Sequence, residues 1–318
     1  MDQVSSGDGL VGNLRVSIII ALARDHLHCL RECIASLTTQ TLHRSEYEVI
    51  LVNAEGDSAI DSTVNTIAEN MPKDFNFHYF RIQKGGRAAA RNHGIRQSAA
   101  NVLFFFASDF IATPRLLEHH LTLHEQNSDS KVVGIGPVAF LSKLEMTPFM
   151  RWLDESGALF GTKLSSCNTG IPPEFFFGAN TSIKKDFLNS VGPFDEELPY
   201  HSVDDSEMGH RLFERGMKNV FLPDVLAYHD HQISMEERRK AMREAGESTA
   251  IWDSKNPRLV TRDRWHGCIA GMVRLLTSWY RAKSLLLGRE QDLWKYFSWS
   301  MTQAWVDGYR RTEKYQRT

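Results

Sequence analysis

No apolar run in the 318-residue chain approaches the roughly 18 residues of a membrane-spanning helix, so no spanning segment is expected. Cysteine is scarce. Cys29, Cys33, Cys167 and Cys268 are too few for a disulfide scaffold, and no second pair joins Cys29 and Cys33 to complete a zinc site. They read as buried thiols. The opening MDQVSSGDGLVGN lacks the apolar core of a secretion signal, and a cytoplasmic protein is expected. Excess charge is missing too: 37 basic against 39 acidic residues leave a formal net charge of −2, which argues against a surface that attracts nucleic acid. No internal repeat or low-complexity segment is found. What remains, with 42% hydrophobic and 24% charged residues, has the composition of a globular protein with a sizeable core.

The order of that core begins with VSIIIALA, residues 16–23, a short run rich in β-branched residues that suits a strand buried on both faces. Leu27, Leu30, Cys33, Ile34 and Leu37 follow at helical spacing. EYEVILVNAEGD returns to strand and closes in a polar turn, and DSTVNTIAENM is a helix with Asp61 or Ser62 as its N-cap. NFHYFRIQ, GGRAAARNHGIRQSAA and NVLFFFAS continue the alternation. This rhythm predicts βαβ units around a mainly parallel sheet. Beyond residue 130 it breaks. VVGIGPVAFL, FFFGANTSIKK and NVFLPDVLAYHDH each read as one strand, DDSEMGHRLFERG reads as a helix, and the stretch from Leu141 to Glu174 as irregular. From residue 233 the pattern is helical to the end.

Four features carry chemistry. Gly85 and Gly86 precede a helix, where backbone amides can approach an anion and Arg87 or Arg91 can add a charged fork for phosphate oxygens. The pair fits neither a dinucleotide nor a P-loop fingerprint. Asp109 ends an otherwise uncharged strand, at the mouth where open α/β sheets hold ligands. Asp204 and Asp205 head a helix together, one more carboxylate than capping needs. His229 and His231 alternate and so share a face if the strand persists.

In this order, VSIIIALARD, EYEVILVNAEGD, GGRAAARNHGI, FFFASDFIATP, GANTSIKKDFLNSVGPFDEEL, DDSEMGHRL and AYHDH resemble glycosyltransferase family 2 over residues 14–232. The resemblance implies an inverting enzyme with a GT-A-type α/β fold: a mixed, mostly parallel sheet flanked by helices. It implies a polar tail at 1–13, a catalytic domain at 14–232 and a helical extension at 233–318. Residue by residue, Ala21, Leu22, Asn53 and Glu55 would line the nucleoside pocket and Arg91 would face the diphosphate. Ser108 and Asp109 stand at the family's strand-end acidic motif, where Asp109 would hold Mn2+ or Mg2+ with His229. Asp205 would be the general base, with Asp204 beside it.

Two positions depart from the family pattern. Ala107 stands where the first acid of the strand-end motif is expected, and Asn53-Ala54-Glu55-Gly56 replaces an acidic pair before a glycine. The first departure raises a rival expectation, a catalytically impaired sugar-nucleotide-binding protein of the same fold. A nucleotidyltransferase fits poorly, because ALARDHLH follows the first strand without a glycine. Arg238, Arg239, Lys240 and Arg243 either close over the diphosphate or form a solvated helix with i,i+4 pairs such as Glu236–Lys240. Trp265, Trp279, Trp294, Trp299 and Trp305, five of seven tryptophans, fall in the last helices. Packing, a homodimer interface and contact with a membrane surface, there the inner face, all suit them. The expected partners are a nucleotide-diphosphate sugar and a saccharide, lipid, peptide or small-molecule acceptor.

Overall fold

A computed structural model of the chain describes residues 3–6, 14–22, 26–83, 85–159, 171–199, 203–256 and 263–316. Cys167 lies outside these, as do the side chains of Trp265 and Cys268. The chain divides into two compact units: residues 1–144, 159–196 and 204–231 form the first, and residues 145–158, 197–203 and 232–318 the second.

The first unit is built on an eight-stranded sheet. Its parallel centre consists of β2 (Val16–Leu22), β3 (Tyr47–Asn53), β4 (Phe77–Arg81) and β5 (Val102–Ala107) in the spatial order β4-β3-β2-β5. The helices α1 (Leu27–Thr38), α2 (Ala59–Glu69) and α3 (Gly86–Gln97) connect them. Continuous apolar runs suit this position, since each central strand is covered on both faces; β3 is buried along its whole length. α1 lays Leu30, Cys33, Ile34 and Leu37 into the core, and Cys29 and Cys33 are free buried thiols. α2 begins earlier than its pattern suggests. Asp57 accepts from Ala59 N at 2.9 Å, which leaves Asp61 to pair with Arg81 at 2.7 Å.

Three corrections concern the sheet. Residues 1–13 are not merely a tail, because β1 (Gln3–Ser6) pairs antiparallel with β4 at the edge. VVGIGPVAFL splits at Gly136-Pro137 into β7 (Val132–Ile135) and β8 (Val138–Phe140). NVFLPDVLAYHDH splits likewise into β10 (Lys218–Phe221) and β11 (Ala227–His229). In both, proline removes a ladder donor, and the chain changes sheets there. β9 (Asn180–Lys184) runs antiparallel between β5 and β7, with β10 outside β7. β6 (Phe110–Ala112), β11 and β8 form a separate three-stranded sheet. The helices α4 (Leu116–Gln126) and α6 (Lys185–Val191) follow β6 and β9, and α7 (Val203–Glu214) precedes β10.

The second unit is helical: α5 (Pro148–Ser156), α8 (Met235–Lys255), α9 (Asp263–Leu287) and α10 (Glu290–Gln316). α5 corrects the irregular reading of residues 141–174. Thr147 caps it by accepting from Met150 N at 3.1 Å, and Gly157 ends it at φ 70°. α8 and α10 cross at backbone distance: a Cβ on Gly246 would lie 2.0 Å from the Trp305 carbonyl oxygen, and one on Gly308 1.9 Å from that of Arg243. Phe149 stacks on Trp152 and meets Phe297 of α10 edge to face. No described helix is long and apolar enough to cross a membrane.

Candidate active site

Asp109 lies with Ser108 in the turn between β5 and β6, and the pairing of β6 with β11 sets His229 opposite Phe110, one residue away. The Asp230 amide donates to the Asp109 carbonyl at 2.9 Å, which locks the register. His229 Nε2 therefore lies 3.1 Å from Asp109 Oδ2, and both side chains are buried. A third group was not foreseen. His26, at the start of α1, puts Nδ1 3.3 Å from the same oxygen and 3.4 Å from Ser108 Oγ. The His231 ring is 5.5 Å from that of His26 and 5.9 Å from that of His229. The signal was the DHLH that closes the first βα turn, which no spacing rule ties to a site 80 residues on.

Burial works against ionisation of Asp109, but the His229 hydrogen bond and the charges of His26, His229 and Arg87 hold its carboxyl well below the usual range. Burial likewise pushes His26 down to about 4, although Asp109 pulls the other way. At neutral pH the corner thus offers a carboxylate and an uncharged imidazole. That donor set suits a divalent ion. Among the described residues no group of three or more His, Cys, Asp or Glu is arranged to hold one alone.

The second cluster gathers the remaining blocks around Arg91. This residue, expected to face the diphosphate, lies in the middle of α3, is 4% exposed and is engaged by two carboxylates. Its Nη1 lies 2.5 Å from Asp204 Oδ2 and 3.0 Å from Asp205 Oδ1, and Nη2 donates to Asp205 Oδ2 at 3.2 Å. Gly178 makes room for it, since a Cβ there would fall 2.3 Å from Nη2. Asn92 stitches the next block, donating to Phe194 O at 2.9 Å and Glu196 Oε1 at 2.7 Å. Glu207 holds Arg211 at 2.6 Å, and Arg211 donates to the carbonyls of Val191 and Pro193. Each sequence block thus binds another block.

Burial raises the Asp205 carboxyl to about 6; Arg91 opposes this and Asp204 reinforces it. Arg87 stands between the clusters, its charge acting on Asp109, His26 and Asp205 alike. Its buried Nε has no hydrogen-bond partner among the described residues. Of the two arginines singled out in α3, Arg87 is the one left for an external anion.

Around the end of β3 the structure narrows the candidates. The Asn53 amide is spent on the turn: Nδ2 donates to Asp57 O and to Tyr79 Oη, both at 3.1 Å, and Oδ1 accepts from Glu55 N at 2.9 Å. The Leu22 side chain belongs to the core. Ala21, half-buried, pairs with Ala107 across the β2–β5 ladder, and Glu55 is exposed just past β3. The Gly85 amide donates to Ala54 O at 3.0 Å, so it is not offered to an anion.

The model of glycosyl transferase family 2 matches residues 17–192. A hyaluronan synthase of Pasteurella multocida is 25% identical over 246 residues, which cover 69% of this chain and 24% of the relative. The chondroitin synthase of the same species is 25% identical over 236 residues, 64% of this chain and 23% of the relative. The chain thus spans about a quarter of the length of these synthases. The glycosyltransferase AglE of Haloferax volcanii is 25% identical over 241 residues, 74% of each chain. Among solved structures, a mannosyltransferase of Pyrobaculum calidifontis, in complex with GDP-Man and Mn2+, superposes with a TM-score of 0.62 at 18% identity, covering 97% of this chain and 89% of that one. GalNAc-T7, with UDP, GalNAc and Mn2+, gives 0.53 at 13% identity, covering 78% and 51%.

Proposed function

The chain belongs to glycosyl transferase family 2, and from that premise we propose that it moves a sugar from a nucleotide-diphosphate donor to an acceptor hydroxyl, with inversion and with Asp205 as general base. The observation that carries this reading is the state of Asp205. Arg91 and the Gly178 amide hold its carboxylate in place, while burial brings its pKa to about 6, near neutral operating pH. A carboxylate so placed is ionised at pH 7 yet accepts a proton more readily than an exposed one. Asp204, whose Oδ2 meets the same guanidinium, keeps the fork filled when Asp205 takes the acceptor's proton.

Asp109 and His229 are the residues that would hold a divalent metal, with His26 next to them. Two protein donors would leave the other positions to phosphate oxygens, as is usual for Mg2+ and Mn2+, and imidazole leans toward Mn2+. A bound ion would neutralise the leaving diphosphate as a Lewis acid. Arg87 would add a fixed positive charge for the same diphosphate, and Glu55, exposed just past β3, and Ala21 would line the base and ribose. Mn2+ beside a nucleotide sugar in the structural relatives supports the reading. The acceptor class stays as wide as the sequence leaves it: saccharide, lipid, peptide or small molecule.

For the C-terminal helices we propose contact with a membrane surface. Leu275, Trp279, Leu285 and Leu286 of α9 are 62% to 83% exposed, and Arg281 and Arg289 flank the last three leucines. Flotation with anionic vesicles, and its loss in a Leu285→Ser/Leu286→Ser variant, tests this; concentration-dependent dimerisation lost in that variant would instead assign the face to a homodimer.

The decisive experiment is sugar transfer by Asp205→Asn. Loss of general-base work lowers turnover by about 10²–10⁴-fold, and a variant keeping a tenth of wild-type turnover would refute the assignment. Donor that binds in the presence of Mn2+ but is neither transferred nor hydrolysed would favour the impaired binding protein that Ala107 suggests.

A further inference from the structure

One cavity takes no part in the transferase reading. It lies wholly within the second unit, has a volume of about 410 Å³ and is walled by Trp152, Leu153, Met242, Met301 and Trp305, with Arg238 among them. That volume falls in the range of small-molecule sites, about 300–1,000 Å³. The walls come from α5, α8 and α10, which are pinned to one another by the crossing glycines and the Phe149–Phe297 contact, so the cavity is part of the helical scaffold.

The guanidinium is out of place in such walls. Arg238 Nη2 donates to the Ala158 carbonyl at 3.2 Å, and no carboxylate is found among the described residues that line the cavity. The acids of its own helical turn are engaged elsewhere. Glu236 lies 3.8 Å from Arg239, and Glu237 accepts from Ser234 N at 2.8 Å in a capping box. Burial pushes the Arg238 guanidinium below its ordinary pKa, the direction expected of a cation desolvated without a counter-charge. Arg238 also sits in the first turn of the 21-residue α8, where the helix dipole favours an anion. An apolar cavity with a cation in its wall and no acid among its described lining residues is complementary to a molecule with an apolar body and a negative end.

We propose that this cavity binds an anionic amphiphile, an apolar chain carrying a phosphate or carboxylate head, with the chain against Trp152, Met301 and Trp305 and the head on Arg238. The proposal does not depend on the transferase reading.

Calorimetric titration of the full chain with decyl phosphate, decanoate, decanol and inorganic phosphate tests it, with tryptophan emission followed in parallel because Trp152 and Trp305 line the cavity. The charged decyl compounds should bind at least tenfold more tightly than decanol, inorganic phosphate should not bind, and the tighter of the two heads names the natural one. Arg238→Gln should weaken the charged compounds at least tenfold and leave decanol unchanged. Ser298, exposed at the rim, offers a second variant: Ser298→Phe plugs the opening without disturbing packing and should abolish all binding. Decanol binding as tightly as decyl phosphate, inorganic phosphate binding alone, or absence of any binding would each overturn the proposal. If Arg238→Gln fails to fold, the four-ligand comparison and Ser298→Phe still decide. The thermal shift given by a nucleotide sugar should be the same in Ser298→Phe and wild type, which separates failure here from failure of the transferase reading.

Discussion

Asp204 and Asp205 share one buried guanidinium, and the arrangement sets what single substitutions should do. Arg91→Met would leave two buried carboxylates without a counter-charge, a situation that costs about 3–5 kcal/mol, to be read as a lowered urea midpoint. Gly178→Ala is subtler. Its methyl must displace a guanidinium held by two acids, so turnover should fall more than melting temperature does. Because Asp205 titrates near 6, kcat/KM should drop as pH falls below about 6, when the base is protonated. The stability effect runs the other way. A folded pKa above the unfolded value of about 4 means the native state holds the proton more tightly, so the contribution of Asp205 is complete below pH 4 and is lost as pH rises through 6. Activity and stability should therefore move in opposite directions between pH 4 and 6, and Asp205→Asn should flatten both profiles. Arg87→Gln should raise the donor's KM and spare the fold, since a charged hydrogen bond is worth about 1.5–3 kcal/mol.

At the scale of elements, proline and glycine decide most of what the hydrophobic pattern leaves open. Gly136-Pro137 and Pro223 cut two apparent strands into four, and that cut delivers β11, and with it His229, to the small sheet beside β6. An uncut strand would leave His229 far from Asp109. In the helical unit, Gly246 and Gly308 let α8 and α10 touch along their backbones. Gly308→Ala meets carbonyl oxygen where nothing flexible can yield, and should destabilise the protein by about 1–3 kcal/mol in chemical denaturation. The exposed face of α9 behaves oppositely: Leu286→Ser, at 83% exposure, should stay within about 0.5 kcal/mol of wild type. The basic run in α8 resolves as a helix with internal pairs, Glu236–Arg239 and Lys240–Glu244, offset from the Glu236–Lys240 pair that its spacing suggests.

For the whole molecule, the candidate catalytic residues fall in the first unit and the unexplained cavity in the second. Donor binding should be visible as a thermal shift: a nucleotide sugar at 100 times its Kd adds about 2.7 kcal/mol. Screening UDP- and GDP-sugars with Mn2+ in this way names the donor, and Asp109→Asn should abolish the Mn2+-dependent part of the shift.

The central parallel strands, the first three helices and the candidates Asp109, Asp204, Asp205 and His229 could be picked out from the chain itself, because apolar runs and helical spacing are local and because the blocks that resemble family 2 stand in order along it. What tertiary structure alone decided was partnership. Arg91 turned inward because two carboxylates from a helix 113 residues later lie within its reach, and Asn53 was spent on its own turn. His26 joined Asp109 only because α1 begins beside the end of β5. Charge and hydrogen bonding act over a few ångströms of space, and no spacing along the chain records which distant groups will share them.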